Sequence, residues 1–487
     1  MSNATRAEFL AAKEATGEDV SLWRVLRGRG EDPLVRWTRI RERHGDVSRY
    51  RYGLDDSHLV THPEGARRVL QDNAGNYTKE HPSYSMLRRL VGNGLLTSEG
   101  SFWLRQRRLA QPAFHRQRIA GMATQMTKAT LDLAGEWDVR SSGPFSMLEE
   151  MSGLTLRIVA DALFGTGLPA RASSVCSGLR RPPVAGEARS ASVCSGLRPP
   201  PVAGEARSSS VREAWDVLSR QMAERVSRRR LLPPVLPTAY DRAFREARRT
   251  LFDLVGAIVA EKRARRSEEP DLLSMLMSAR DEETGEQMTD AQLRDEVVTM
   301  VLAGHETTAV ALSWAWALLD RHRGAREKLL AELASVLGGR AATVADVPRL
   351  AYTRAVIDEA MRLYPPAYIF FRRVKEDDVV CGYRIHRGGV IVMTPMIFHR
   401  HPSFWERPDA FEPERWAEED RRPRFAFMPF SGGPRQCIGN NFAILEAVLI
   451  LATLAQRFTP RLAEGYLLEP EYGVTLRPSR GLPMRLS

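Results

Sequence analysis

The sequence predicts a mainly α-helical fold with minor β elements, on three observations. Apolar residues recur at helical spacing over Phe102–Ala134, Ser146–Phe164 and most of Val211–Ser267. A long apolar segment opens with Thr289-Asp290-Ala291-Gln292 and keeps that period to about His322. Strand-like runs, by contrast, are short and confined to two places, near the start and after Tyr364.

Taken in order, Val47–Tyr52 and Ser57–Thr61 read as strands joined by a Gly-Leu-Asp-Asp turn, and His62–Gln71 as a helix opening with Pro63. The long central helix begins with a capping box, in which Thr289 and Gln292 each satisfy an orphan amide. At about 1.5 Å per residue it extends for about 50 Å, enough to cross a domain. Its apolar character through Val297–Leu302 and Ala309–Leu319 predicts burial nearly all round. A helix carrying Glu359 and Arg362 is stopped by Pro365-Pro366. Val379–Ile385 and Val390–Thr394 follow as short strands, and Asn440–Leu454 as an apolar helix.

One segment stands outside this pattern. Ser174–Ser190 recurs as Ser192–Ser208 with a single difference, Arg181 against Pro199. Its Pro, Gly and Ser content offers little apolar surface to offset chain entropy, so residues 172–209 read as a disordered insertion in an otherwise single domain spanning 1–487.

Composition narrows the function. Hydrophobic residues make up 43% of the chain, ample for a core, and no apolar run is long enough for a signal peptide or a membrane anchor, so a cytoplasmic protein is expected. Seventy-one Lys and Arg against 60 Asp and Glu give a net charge of +11. No aromatic-interleaved basic stripe accompanies the excess, so nucleic acid is not an expected partner. Of four cysteines, Cys176 and Cys194 are copies within the repeat. No Cys/His grouping has zinc-ligand spacing. Cys381, within Val379-Val380-Cys381-Gly382-Tyr383, reads as a buried strand cysteine.

Three segments carry chemistry. Ala303-Gly304-His305-Glu306-Thr307-Thr308 places a glycine, an acid and hydroxyls inside a helix that should be all core. It is either a satisfied polar patch, with Thr307 bonded back to a carbonyl, or a site where something small approaches the backbone. Glu359 and Arg362 share one helical face, and Arg415 could complete their network. In Phe430-Ser431-Gly432-Gly433-Pro434-Arg435-Gln436-Cys437-Ile438-Gly439, two glycines allow a tight loop, and Cys437 stands before a helix whose N-terminal amides favour a thiolate. Arg435 adds a positive charge. These features alone suit a metal ligand, a redox sensor or a nucleophile.

That last segment resembles the haem-binding loop of cytochromes P450, with every signature position filled. Glu359-x-x-Arg362, Pro413-Glu414-Arg415-Trp416, the Gly304–Thr308 stretch and Trp103-x-x-x-Arg107 resemble four further family motifs, in the family's order. Trp416 stands where Phe is commoner. The resemblance is nearest to bacterial enzymes with an arginine-type haem loop, and it implies the P450 fold with haem b. Cys437 would be the axial thiolate, and Trp103, Arg107, Arg372 and Arg435 would hold the propionates. Phe430 would pack by the sulfur and Gly439 allow close approach. Gly304 would leave room for O2, while Glu306 and Thr307 delivered protons. Glu359, Arg362 and Arg415 would lock the loop. The implied activity is hydroxylation or epoxidation of a lipophilic molecule, a fatty acid or terpenoid first and a polyketide-like product second. Electrons would come from NAD(P)H through a separate ferredoxin or flavodoxin and its reductase. A peroxygenase, an isomerase and a gas sensor are the alternatives, though Glu306 and Thr307 suit them less well.

Overall fold

The computed structural model describes residues 3–20, 31–52, 55–140, 143–165, 239–265, 271–417 and 421–486. The tandem repeat, the expected helices around Val211–Pro237 and the arginine run Arg228–Arg230 lie outside these residues.

The central helix spans Asp290–Arg321, and both halves of the capping box form: Gln292 N–H donates to the Thr289 hydroxyl, and Thr289 N–H to the Gln292 side chain. Around it pack Met147–Phe164, Ala239–Arg265, Ala351–Leu363 and Asn440–Ala455, which share one continuous apolar core. Trp314, on the central helix, stacks on Tyr364 with ring centroids 3.8 Å apart. The helical stretch expected from Phe102 divides into Gly100–Ala110, a turn over Gln111–Phe114, Arg116–Gly121 and Ala123–Asp138. Pro112 supplies the physical reason, since it has no amide to continue the ladder.

A six-stranded sheet lies beside this body, in the order Gly17–Val20, Val47–Tyr52, Asp55–Val60, Val390–Met393, Phe370–Val374, Tyr77–Thr78. Asp55–Val60 runs parallel to Val390–Met393, with Ser57 opposite Val390. The expected helix His62–Gln71 is regular over Pro63–Arg67 and then widens to a π-type turn over Arg68–Asp72.

The single strand expected over Val379–Ile385 is a hairpin instead, with strands Asp378–Val380 and Tyr383–Ile385. Cys381 and Gly382 form its turn, with φ of 51° and 81°, and Cys381 is exposed rather than buried in a strand. The β-branched run suggested continuity, but Gly382 supplies the turn. Desolvation at the sulfur, then the charges of Glu64 and Asp46, push the Cys381 thiol up to about 11.

Candidate functional site: a cysteine loop, a cation cluster and an uncovered helix stripe

The loop around Cys437 is held by its own backbone and by one neighbour. Cys437 N–H donates to the Phe430 carbonyl at 3.0 Å, which closes the loop on itself. Positive φ falls on Ser431 (58°) and Gly433 (67°), not on both glycines. At Gly433 a side chain is excluded twice over, because a Cβ would also stand 1.7 Å from the Leu70 carbonyl oxygen. Gly432 is required for packing, since its Cβ would meet the Phe425 ring at 2.2 Å. Gly439 is under no such demand: Phe114 lies 3.9 Å from its missing Cβ.

Cys437 sits just before the helix Asn440–Ala455, as expected. The field it feels is different from the one expected. Burial pushes its thiol up, against the Gly439 amide and the Arg107 charge, which both favour thiolate. Helix-start amides and the Arg107 charge favour the thiolate against burial, and a bound metal would complete the deprotonation. Arg107, rather than Arg435, is the cation beside it, and its guanidinium also donates to the Gln436 carbonyl at 3.0 Å.

Arg435 belongs to a second group. Its guanidinium lies 4.1 Å from the centre of the Trp103 ring and pairs with Glu99 at 2.9 Å, while donating to the Ser98 carbonyl at 3.0 Å. Arg372, almost fully buried, donates to the Tyr84 hydroxyl at 3.1 Å. Between them lies Lys79, whose ammonium donates to the Leu96 carbonyl at 2.8 Å. Desolvation first, then the charges of Arg372 and Arg435, depress the Lys79 pKa well below its ordinary range. Desolvation also lowers Arg435, to about 10. Lys79, Arg372 and Arg435 thus lie together with one nearby carboxylate, Glu99, paired to Arg435, in a largely desolvated place. Lys79, Tyr84 and Glu99 were not legible as site residues, because no sequence spacing connects them to Arg372 or Arg435.

The central helix supplies the third part. From Glu296 to Leu319 every residue is buried except Ala303, Gly304 and Thr307, which form one stripe at helical spacing. Thr307 gives its hydroxyl hydrogen to the Ala303 carbonyl at 2.6 Å, the back-bonded state. The Cβ that Gly304 lacks would stand 2.9 Å from Val159, so glycine here also permits close helix packing. Glu306 leaves the stripe altogether. Its Oε1 accepts from the Thr475 hydroxyl at 2.7 Å and from Arg477, Nε at 2.9 Å, so the acid is ion-paired with a C-terminal strand.

Behind the loop, the second network closes completely. Glu359 and Arg362 pair at 2.8 and 2.9 Å with no exposure on either. Arg415 Nε and the Trp416 indole N–H donate to the same carboxylate at 3.0 and 3.1 Å, so the tryptophan adds a bond that a phenylalanine could not. Arg362 also donates to the carbonyls of His399, Pro408 and Ala410. His399 connects this network to the loop. The Met428 amide donates to its Nε2 at 2.9 Å, so Nδ1 carries the proton and donates to the Arg362 carbonyl at 3.1 Å. Burial lowers the His399 pKa to about 3, keeping it neutral.

The parts fit a haem. Cys437, an exposed residue in the glycine-bearing loop, offers an axial ligand, and the cations Lys79, Arg372 and Arg435 suit two carboxylates. Arg107, expected among the carboxylate-holding groups, donates to the Gln436 carbonyl and places its charge near the sulfur.

Comparison with known proteins agrees. A sequence model of the cytochrome P450 family matches residues 21–481. Cyclooctatin synthase from Streptomyces melanosporofaciens is 37% identical over 90% of this chain and 89% of its own length. Cyclooctat-9-en-7-ol 5-monooxygenase from the same organism is 32% identical over 87% and 84%. The crystal structure of the cytochrome P450DA haem domain superposes with a TM-score of 0.81 at 25% identity, covering 98% of both chains. The chain therefore belongs to the cytochrome P450 family, of bacterial type. It is a haem-dependent monooxygenase, an oxidoreductase acting with O2. Among the described residues no helix is long and apolar enough to cross a membrane.

Proposed function

We propose that this enzyme hydroxylates or epoxidises a lipophilic terpenoid, with electrons from NAD(P)H delivered by a separate ferredoxin or flavodoxin and its reductase. The observation that carries the reading is the Ala303–Gly304–Thr307 stripe, the only surface that a 24-residue stretch of the central helix leaves uncovered. Its apolar and hydroxyl character suits a lipophilic substrate beside a proton donor. A relative named as acting on cyclooctat-9-en-7-ol supports a cyclic, lipophilic substrate ahead of a linear one.

In this reading Cys437 holds the iron, which, once bound, supplies the oxidising chemistry. Lys79, Arg372 and Arg435 neutralise the propionates, with Trp103 bracing Arg435. Thr307 orients a water and passes protons toward the O2 site. Glu306 acts one step back: held on Oε1 by Thr475 and Arg477, it is fixed in place to order water near Thr307. The reductase partner would meet Arg421 and Arg424 near the cysteine loop, where Arg422 is already stacked 4.0 Å over Trp405.

The test is a panel of terpenoids, fatty acids and polyketide-like compounds, read by substrate-induced change in the haem spectrum and then by product formation with a reductase system. Terpenoids should bind tightest and be oxygenated. Preference for linear fatty acids would discard the substrate class. Reduction should slow as salt rises if an acidic partner docks on Arg421 and Arg424, and a salt-independent rate would discard that docking.

A further inference from the structure

We propose that His62, Glu64 and Cys381 form a second metal site, on the protein surface, for a zinc-class divalent cation. One donor atom from each of the three lies within 4.8 Å of the others, although 317 positions separate Glu64 from Cys381. A thiol, an imidazole and a carboxylate are the donor set zinc takes, and three protein ligands leave a fourth position for water.

The geometry needs little adjustment. His62 Nδ1 and Glu64 Oε2 are 3.9 Å apart, against about 3.4 Å for N and O ligands on a tetrahedral zinc. His62 Nδ1 accepts the Glu64 amide in a long bond of 3.3 Å, so its lone pair, not a proton, faces that region. A metal bond at Nδ1 would replace this weak contact. The ring is held from behind by Phe404, with centroids 5.4 Å apart, and by His401, which itself binds Asp46 at 2.9 Å. Asp46 and Glu64 both place negative charge near the sulfur, a field that attracts a cation. The Gly65 amide donates to the Cys381 sulfur, which favours its thiolate, and glycine leaves the sulfur room there, since a Cβ would stand 3.1 Å from it. Cys381 and Glu64 are exposed, so an ion can enter, and the thiol proton leaves to solvent on binding.

Such a bond would join the hairpin turn at Cys381 to the start of Pro63–Arg67. That helix runs into Arg68–Asp72, whose Leu70 carbonyl abuts Gly433. The metal would brace the back of the cysteine loop without touching the chemistry.

The experiment uses chelator-washed, haem-loaded enzyme, in which Cys437 is engaged, titrated calorimetrically with Zn2+. One zinc should bind per chain at micromolar affinity or better. Affinity should fall by about tenfold or more in Cys381→Ser and in His62→Gln, and stay unchanged in a Cys176→Ser/Cys194→Ser double variant. Zinc should also slow maleimide labelling of Cys381 in the unaltered enzyme, a readout that does not depend on any variant folding. Wild-type zinc affinity in Cys381→Ser, no zinc uptake by the holoenzyme, or a labelling rate indifferent to zinc would each overturn the proposal.

Discussion

The base beneath the cysteine loop and the central helix above it are built to opposite standards of polar satisfaction. In the base, both Glu359 oxygens are taken, Arg362 donates to five acceptors, and His399 uses both ring nitrogens. On and beside the central helix, two buried acids are only partly satisfied: Glu296 Oε1 has no partner, and the burial of Glu446 is opposed by the Thr308 hydroxyl alone. Burial drives the Glu446 carboxyl well up, against the Thr308 hydroxyl, which is shared with the Gly304 carbonyl. Glu296 Oε2 takes only the Leu95 amide, and desolvation raises that carboxyl to about 7. A closed network fixes one geometry for the ligand. A half-satisfied one leaves room for water and protons, which the oxygen side of a monooxygenase must handle.

The sharpest way to break this contrast is to cut the base. Arg362→Leu leaves Glu359 buried against one fewer cation and strips three carbonyls, so stability should fall by about 3–5 kcal/mol with loss of haem. Chemical unfolding and the haem-to-protein absorbance ratio measure it; a loss under about 1 kcal/mol would show that the network is not rigid.

Glu296 tests the other side. Its folded pKa lies above its ordinary 4.5, so the native state binds the extra proton. The associated stability is full below about pH 4.5 and is lost as pH rises through about 7. That interval corresponds to about 3 kcal/mol at most. Glu296→Gln keeps an acceptor for Leu95 and removes the titration, so its stability relative to wild type should rise between pH 5 and pH 8. A difference independent of pH would contradict the unsatisfied state assigned to this acid.

His399→Leu, which orphans the Met428 amide, should cost about 1–3 kcal/mol and broaden the haem spectrum without changing the reaction catalysed. Smallest on stability, within about 1 kcal/mol, is Thr307→Ala, because its hydroxyl serves only the Ala303 carbonyl in the fold. Its effect belongs to chemistry: product formed per NADPH should fall several-fold while hydrogen peroxide rises. Unchanged coupling would remove Thr307 from proton delivery.

Much of this was legible in sequence where one segment carries its own geometry. The capping box at Thr289, the Glu359–Arg362 face and the Gly433 turn need only neighbours within a few residues. Arg415 reached Glu359 as expected, as one of several donors that converge on that buried carboxylate. Sites assembled across the chain were not legible. Lys79 meets Arg372 only through sheet pairing at Tyr77–Thr78, and Glu306 meets Arg477 only through the C-terminal hairpin. Cys381 was misread because β-branched neighbours outweighed a single glycine. At Cys437 the amide and charge that favour thiolate were visible in sequence, whereas the opposing burial was not.

The central claim is that Cys437 sulfur binds haem iron as thiolate, and the reduced, carbon-monoxide-treated spectrum tests it most directly. The wild-type protein should show the red-shifted band of a sulfur-ligated haem, and Cys437→Ser should lose it. A wild-type protein without that band, or a Cys437→Ser protein that keeps it, would contradict the account.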